Sequence, residues 1–430
     1  MNQLFVSRIR SYFKDDADKL LELLKQKPTQ GFFLNTNKAN KDTILSLLDF
    51  PYEESNLNSN AYYHNENSIS KNISFELGLI YPQDVESSFS STFLDSINPN
   101  IIIDLCAAPG GKTINVANIF KDATIISNDI SHSRSLELSK NLERLGLTNV
   151  SITNKDPKDL VKLLKGNADL VILDAPCSGE GMIRKYPEIL DNYFLSNINH
   201  LAGIQKELLE NAYDLICQDG YILYSTCTYA FEEDESQITS FLNNHSDIEL
   251  IKLEFNNNYS TLEGTIKLCP LNNTEGQFFA LLKKNSNSGS SKIKNLKPIK
   301  EKIVDDFILK NFNFNSYFLY KNNDDYYLSF KPLFDLGKNT IRNGIYVGSL
   351  INKRFEPAYT LYRSNELQSK FNFVVDLDER EYLDYVKGLE IKKDVLNNYY
   401  LITYHNLSLG YAKASGGILK NKYPKGLRRL

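Results

Sequence analysis

Apolar positions along this chain follow two periods, and in its middle third the two alternate regularly. Ile101–Leu105 is a short, β-branched apolar run of the kind a doubly covered strand needs. Gly110-Gly111 then opens a helical pattern that runs through Phe120. Ala123–Ser127 predicts a second strand ending at Asn128-Asp129. Ser133–Leu145 carries Leu138, Leu142 and Leu145 at helical spacing, and Gly146 stops it. Val150–Thr153, Leu170–Leu173 and Tyr221–Ser225 read as further strands, with a helix over His200–Ile216 before the last. Phe278–Leu282 is a late strand suited to antiparallel pairing. Strands alternating with helices predict an α/β parallel sheet over residues 96–284. Residues 1–95 open with a helical pattern around Leu20, Leu21, Leu23 and Leu24, followed by an Asn/Ser/Tyr-rich stretch whose pattern assigns no element. Residues 285–300, NSNSGSSKIKNLKPIK, have linker composition, and residues 301–430 form a further module rich in Tyr, Phe and Lys.

Composition narrows the class. A length of 430 residues suits two or three domains, and 42% hydrophobic with 24% charged residues is ordinary for a globular chain. The 49 basic and 53 acidic residues give a net charge of −4, so a nucleic-acid partner requires local basic patches. The opening MNQLFVSRIRSYFKDD is broken by charge too early for a signal-peptide core, and no run of about 18 apolar residues predicts a membrane helix. Five cysteines, an odd and sparse set, argue against a disulfide framework and for a reducing cytoplasm. The five histidines share no ligand spacing with them, so no metal is expected.

Candidate chemistry gathers at predicted strand ends, where open α/β sheets bind ligands. Asp104-Leu-Cys-Ala-Ala-Pro-Gly-Gly-Lys-Thr113 joins a strand to a helix through a glycine turn that lets a ligand approach the backbone. Its GGKT resembles the end of a P-loop, but that template requires glycine where Cys106 stands, which disfavours an ATPase. Nor is it G-x-G-x-x-G. Asp129, nineteen positions after Gly110, can accept from ribose hydroxyls, and Asp156 after the third strand could reach an adenine edge. A nucleoside cofactor without phosphates, such as S-adenosylmethionine, fits this set.

Two further motifs, Leu173-Asp-Ala-Pro-Cys-Ser-Gly-Glu-Gly-Met182 and Leu223-Tyr-Ser-Thr-Cys-Thr-Tyr-Ala-Phe-Glu-Glu-Asp-Glu235, place Cys177 and Cys227 just beyond strand ends. If those strands are neighbours, about 4.8 Å apart, both sulfurs can face one substrate. Cys217 and Cys269 read as inert. Carbon 5 of a pyrimidine is a poor nucleophile. A thiolate adding to carbon 6 turns the ring into an enamine-like species whose carbon 5 can take a methyl group, after which the carbon-5 proton and the thiolate leave. Asp174 could hold the N3 and N4 edge, and a second thiol is useful for the elimination. The residues alone leave open which cysteine attacks.

These three motifs, in this order, resemble the Nop/Sun family of RNA cytosine-5 methyltransferases. Asn128-Asp129-Ile-Ser-His-Ser-Arg134, Gly78-Leu-Ile-Tyr-Pro-Gln-Asp-Val-Glu-Ser-Ser88, Asn35-Thr-Asn-Lys38 and Gly276-Gln-Phe-Phe-Ala-Leu-Leu-Lys283 extend the resemblance. Arg342-Asn-Gly-Ile-Tyr-Val-Gly348, Arg354-Phe-Glu-Pro357 and Lys420-Asn-Lys-Tyr-Pro-Lys-Gly-Leu-Arg428 are similar to the tail of the bacterial RsmF subgroup, which modifies 16S ribosomal RNA. The resemblance implies a class I, Rossmann-like methyltransferase sheet with an N-terminal RNA-binding extension and a C-terminal α+β PUA-like domain. It implies that Cys106, Ala107, Ala108, Pro109, Gly110, Gly111, Lys112, Asp129, Asp156 and Asp174 contact S-adenosylmethionine. By the same resemblance Cys227 is the nucleophile and Cys177 assists product release. Phe231 stands where proline is frequent, Asp234 where asparagine is, and Cys269-Pro270 differs from the usual run.

Residues 411–430 hold Lys413, Lys420, Lys422, Lys425, Arg428 and Arg429 without an acid, with Tyr411 and Tyr423 interleaved. Cations beside aromatic rings suit RNA, so Lys413, Lys420, Lys422, Tyr423, Lys425, Arg428 and Arg429 are the expected RNA contacts. The expectation is a monomeric cytoplasmic enzyme acting on 16S rRNA. A tRNA substrate, or an RNA-binding assembly factor with a vestigial site, are the alternatives.

Overall fold

The computed structural model describes residues 2–287, 289–314 and 316–429. Two helices, α1 (Gln3–Phe13) and α2 (Ala17–Leu23), begin the chain. The Asn2 side chain caps α1 by accepting from the Leu4 N–H at 2.9 Å. Their apolar stripe of Phe5, Ile9, Phe13 and Leu20 packs on Tyr193, Ile198 and Tyr229 of the central domain. The Asn/Ser/Tyr-rich stretch joins Gly31–Leu34 and Ile80–Pro82 in a four-stranded antiparallel sheet.

The central sheet contains β1 (Ile101–Asp104), β2 (Thr124–Asn128), β3 (Val150–Thr153), β4 (Ala168–Asp174), β5 (Ile216–Thr226), β6 (Ile248–Ile251), β7 (Ile266–Leu268), β8 (Gln277–Lys284) and β9 (Thr340–Arg342). In space they run β6-β8-β5-β4-β1-β2-β3-β9, with β7 paired to β8. Strands β1 to β5 are mutually parallel, and β8 is antiparallel to β5. The chain winds outward from β1 to β3, then returns to β4 on the other side of β1. That reversal opens a crevice at the carboxyl ends of β1 and β4.

Helices α3 (Gly111–Ile119), α4 (His132–Leu145), α5 (Pro157–Leu164), α6 (Leu195–Leu215) and α7 (Glu235–Asn244) cover the sheet. Ile102, Ile125 and Leu170 pack with Leu138 and Leu142 in one core. Ile103, Val171 and Leu173 pack with Leu208, Leu209 and Ala212 in another. The expected α/β class is therefore the observed one, with two corrections of extent. Helix α6 starts five residues before His200, because Ile198 already turns into the apolar layer beside α1. The sheet also has strands the apolar pattern missed, among them β9, which reaches in from the C-terminal region to pair with β3.

Described residues between 289 and 300 are tied to their surroundings: Ser291 donates its N–H to Lys165 O at 2.8 Å, and Asn295 and Ile299 form single bridges to Phe334 and Leu319. Beyond them, helix α8 (Lys302–Asn311) packs against a four-stranded sheet, and α9 (Glu379–Val386) against a five-stranded one. Phe32, Leu34 and Tyr62 of the N-terminal sheet share one core with Ile402, Leu409 and Tyr423 at the other end of the chain. Buried Arg363 crosses this seam. Its terminal nitrogens donate to Glu76 O, Arg144 O, Ser408 O and Leu409 O at 2.7–3.2 Å. Among the described residues no helix is long and apolar enough to cross a membrane.

Candidate active site

A cavity of about 170 Å³ opens at the end of β1. Cys106 to Pro109, Gly111 and Lys112 line one side, Tyr81, Gln83 and Ser87 the other, with Asp104 and Asp174 between them. The glycines are needed here. Gly110 has φ +117°, and a Cβ on Gly111 would lie 2.7 Å from Gln83 Nε2. Lys112, itself buried, reaches Asp174 Oδ2 at 2.7 Å, and Ser225 Oγ donates to Asp174 Oδ1 at 2.7 Å.

Asp104 is fully buried and accepts from Thr113 Oγ1 at 2.6 Å, while its Oδ1 has no partner among the described residues. Burial pushes its carboxyl up to about 7, with the Thr113 hydrogen bond opposing. Asp104, Gln83 and Ser87 were missed as cavity residues; the leading acid of the first motif and the Gly78–Ser88 segment were the available signals.

Asp129 does not line the cavity but braces the loop. It accepts from the Ala108 N–H at 3.3 Å and the Ser131 N–H at 2.9 Å, with Arg134 Nη1 at 3.4 Å. Asp156, for which an adenine-edge role is expected, lies just beyond the end of β3. Its exposed carboxylate caps α5 by accepting from the Lys158 N–H at 2.9 Å, a task set by the Pro157 helix start. A larger cavity of about 360 Å³ lies at the amino ends of β2 and β3, beside Thr124, Asn149 and Ser151, and includes none of the three motifs.

Strands β4 and β5 are neighbours in a register that pairs Asp174 with Ser225. Cys177 and Cys227 therefore leave the sheet side by side, with their Sγ atoms 3.2 Å apart. The Cys227 N–H donates to Cys177 Sγ at 3.3 Å. Cys177 is pushed well above its ordinary value, first by its hydrogen bond with Cys227 and then by burial.

Several contacts fix the two loops. Ser178 Oγ and Thr228 Oγ1 are 2.8 Å apart, and the Gly181 N–H donates to Cys227 O at 2.9 Å. Gly181 and Gly276 meet so closely that a Cβ on Gly181 would lie 2.5 Å from Gly276 Cα. Buried Glu180 accepts from the Tyr229 N–H at 3.1 Å and from the Tyr193 hydroxyl. From α1, Arg8 forms a bidentate pair with Glu232, its Nη2 2.6 Å from Oε2, so the N-terminal helices brace the Cys227 loop. Asp234, where asparagine is frequent, is buried with Lys267 Nζ at 3.0 Å, which supplies the charge that a carboxylate there requires. Cys217 and Cys269 lie apart from this pair, Cys217 beside Asp169 and Cys269 in the core under α1.

The expected RNA tail divides. Lys413, Lys420, Lys422 and Lys425 are exposed. Tyr423 is corrected: it is 3% exposed, and its hydroxyl donates to Glu76 Oε1 at 2.6 Å. Arg429, half-exposed, pairs with Glu76 Oε2 at 2.7 Å and donates to Lys71 O at 2.9 Å. Arg428 turns inward on the Tyr423 carbonyl at 3.3 Å. These groups help to close the seam.

Comparison with known proteins follows the same layout. The family described as 16S rRNA methyltransferase RsmB/F matches residues 91–283. The N-terminal domain of 16S rRNA methyltransferase RsmF matches residues 1–85, and the methyltransferase RsmF PUA domain matches residues 372–429. A ribosomal RNA small subunit methyltransferase F of Psychromonas ingrahamii is 36% identical over 219 residues, 48% of this chain and 45% of that protein, so the matched stretch spans under half of that relative. A protein of the same name from Aeromonas salmonicida is 29% identical over 379 residues, 82% of this chain and 79% of that one. A solved methyltransferase homolog from Pyrococcus horikoshii superposes with a TM-score of 0.58 and 27% identity over 66% of this chain and 95% of that one. With its centre and both ends matched in order, the chain belongs to the RsmB/F family of methyltransferases, with the N-terminal and PUA domains of the RsmF branch.

Proposed function

We propose that this protein methylates carbon 5 of cytosine in ribosomal RNA, with S-adenosylmethionine as donor and 16S rRNA as substrate. The observation that carries this reading is the 3.2 Å separation of two thiols at the ends of adjacent strands, next to the glycine-lined cavity. The cavity suits the cofactor. A Cβ on Gly111 would press on Gln83 across it, and the unpartnered Asp104 Oδ1 is an acceptor for an ammonium group. Cys106 to Lys112, Asp104 and Asp174 would hold it, and Asp129 keeps the loop in place behind them. When bound, S-adenosylmethionine supplies an electrophilic methyl group.

The chain's own residues do the rest. The Cys227 sulfur adds to carbon 6 of the extruded cytosine. Asp174, held by Lys112 and Ser225, accepts from the N4 edge. After carbon 5 is methylated, its proton passes to solvent, and as that electron pair forms the C5–C6 double bond the C6–S bond breaks, its pair returning to Cys227. Cys177, within hydrogen-bond reach, assists this release. Exposed Lys413, Lys420, Lys422 and Lys425 offer contacts to RNA phosphates.

The names of the relatives support rRNA as substrate. Bisulfite sequencing of RNA from cells with and without the protein should show a 5-methylcytosine lost from 16S rRNA. Unchanged methylation across rRNA and tRNA would sink the reading.

A further inference from the structure

Two thiols in contact raise the question of which one carries the proton. Glu233 is buried beside the Cys177 loop and holds both of its flanks. Its Oε2 accepts from the Ser178 N–H at 3.0 Å and from Gln205 Nε2 at 2.8 Å, and the same Gln205 amide donates to Pro176 O at 2.9 Å. Tyr224, on β5, donates its hydroxyl to the Glu233 carbonyl at 2.6 Å, which locks the residue from the other side. Glu233 Oε1 is buried and has no partner among the described residues. On the other side Thr226, which precedes Cys227, donates its hydroxyl to Asp234 Oδ1 at 2.5 Å, but that acid is paired with Lys267 Nζ at 3.0 Å, whereas Glu233 has no ion-pair partner among the described residues.

We infer that Glu233 is a positioning residue that keeps the proton of the Cys177–Cys227 contact on Cys177, leaving the Cys227 sulfur free to attack. This rests on Cys227 being the attacking sulfur, as proposed above. A carboxylate at this place disfavours a second negative charge on Cys177, and its charge adds to the contact with Cys227 and to burial in raising that thiol. The Cys227 N–H opposes the effect, as one neutral donor against a full charge and a buried site. Burial also pushes Glu233 itself up to about 7, so its charge is present above neutrality and is lost below it. The titratable groups facing it are Cys177 and Glu180 on the loop after β4 and Tyr224 on β5, while α6 presents the uncharged Gln205. On its own segment Glu232 is paired with Arg8 and Asp234 with Lys267.

The test is alkylation of the RNA-free, full-length protein with iodoacetamide over a pH series from below to above neutrality, read peptide by peptide by mass spectrometry. Cys217 and Cys269 serve as internal references. In the wild type Cys227 should react before Cys177. Glu233→Gln keeps an oxygen for Ser178 and removes the charge, and should raise the Cys177 rate relative to Cys227 by roughly fivefold. Glu233→Asp restores the charge and should restore the wild-type order. The inference is overturned if Cys177 reacts first in the wild type, if Gln leaves the ratio unchanged, or if Asp shifts it as much as Gln. Because no RNA is present, a failed methylation assay with the predicted alkylation order would remove the substrate assignment and leave the proton placement standing.

Discussion

The strand ends that carry Cys177 and Cys227 and the seam around Glu76 and Arg363 are both rich in buried charge, yet they use it differently. At the seam, most of the charge closes on the protein itself, with Arg363 Nε left without a partner among the described residues. Arg363 ends on four backbone carbonyls, and the Glu76 carboxylate takes up Arg429, Tyr423 and Tyr382. At the strand ends, acceptors are left open. Asp104 Oδ1 and Glu233 Oε1 have no partner among the described residues, and both carboxyls are pushed up to about 7. An open buried acceptor with a shifted proton affinity marks a place that waits for a ligand or tunes a reacting group, whereas a closed one marks a joint. A basic and aromatic run in the sequence does not by itself say which of the two it will become.

Breaking the two regions should give effects of different kinds. Largest is Cys227→Ala, expected to lower tritiated methyl transfer to rRNA by roughly three orders of magnitude or more with melting unchanged. Cys177→Ala should instead let a protein–RNA adduct persist on denaturing gels, and the opposite pattern would exchange the two roles. Arg363→Ala should cost about 3 kcal/mol in denaturant unfolding, because the carbonyls it caps stay buried without a donor. A smaller effect is expected from Asp104. Its carboxyl is neutral below about 7 and charged above, so calorimetric affinity for the ammonium-bearing cofactor should rise as pH climbs through that value. Asp104→Asn should flatten that dependence. Smallest is the contrast within the tail. Lys422→Ala should reduce the salt slope of RNA binding by about one phosphate contact, while Tyr423→Phe should leave RNA binding alone and cost about 1–2 kcal/mol of stability.

Much of the catalytic domain was readable. Val150–Thr153 was read at its observed limits, and the β1 to α3 turn follows from Gly110-Gly111. The apolar period missed β9 and the short strands of the N-terminal sheet, because runs of three or four residues carry too little periodicity to register. The burial of Tyr423 has no signal in the sequence, because its partner, Glu76, lies some 350 positions away.

Local order therefore determined the elements, the glycine turn and the kinds of side chain offered at each strand end, since these depend on residues a few positions apart. Only the tertiary structure decided that β4 and β5 are neighbours, that their two sulfurs meet, and that a basic tail is partly spent in holding the chain's two ends together. Pairing between distant segments is set by backbone hydrogen-bond register and by which surfaces can share a core, and neither has a local signature.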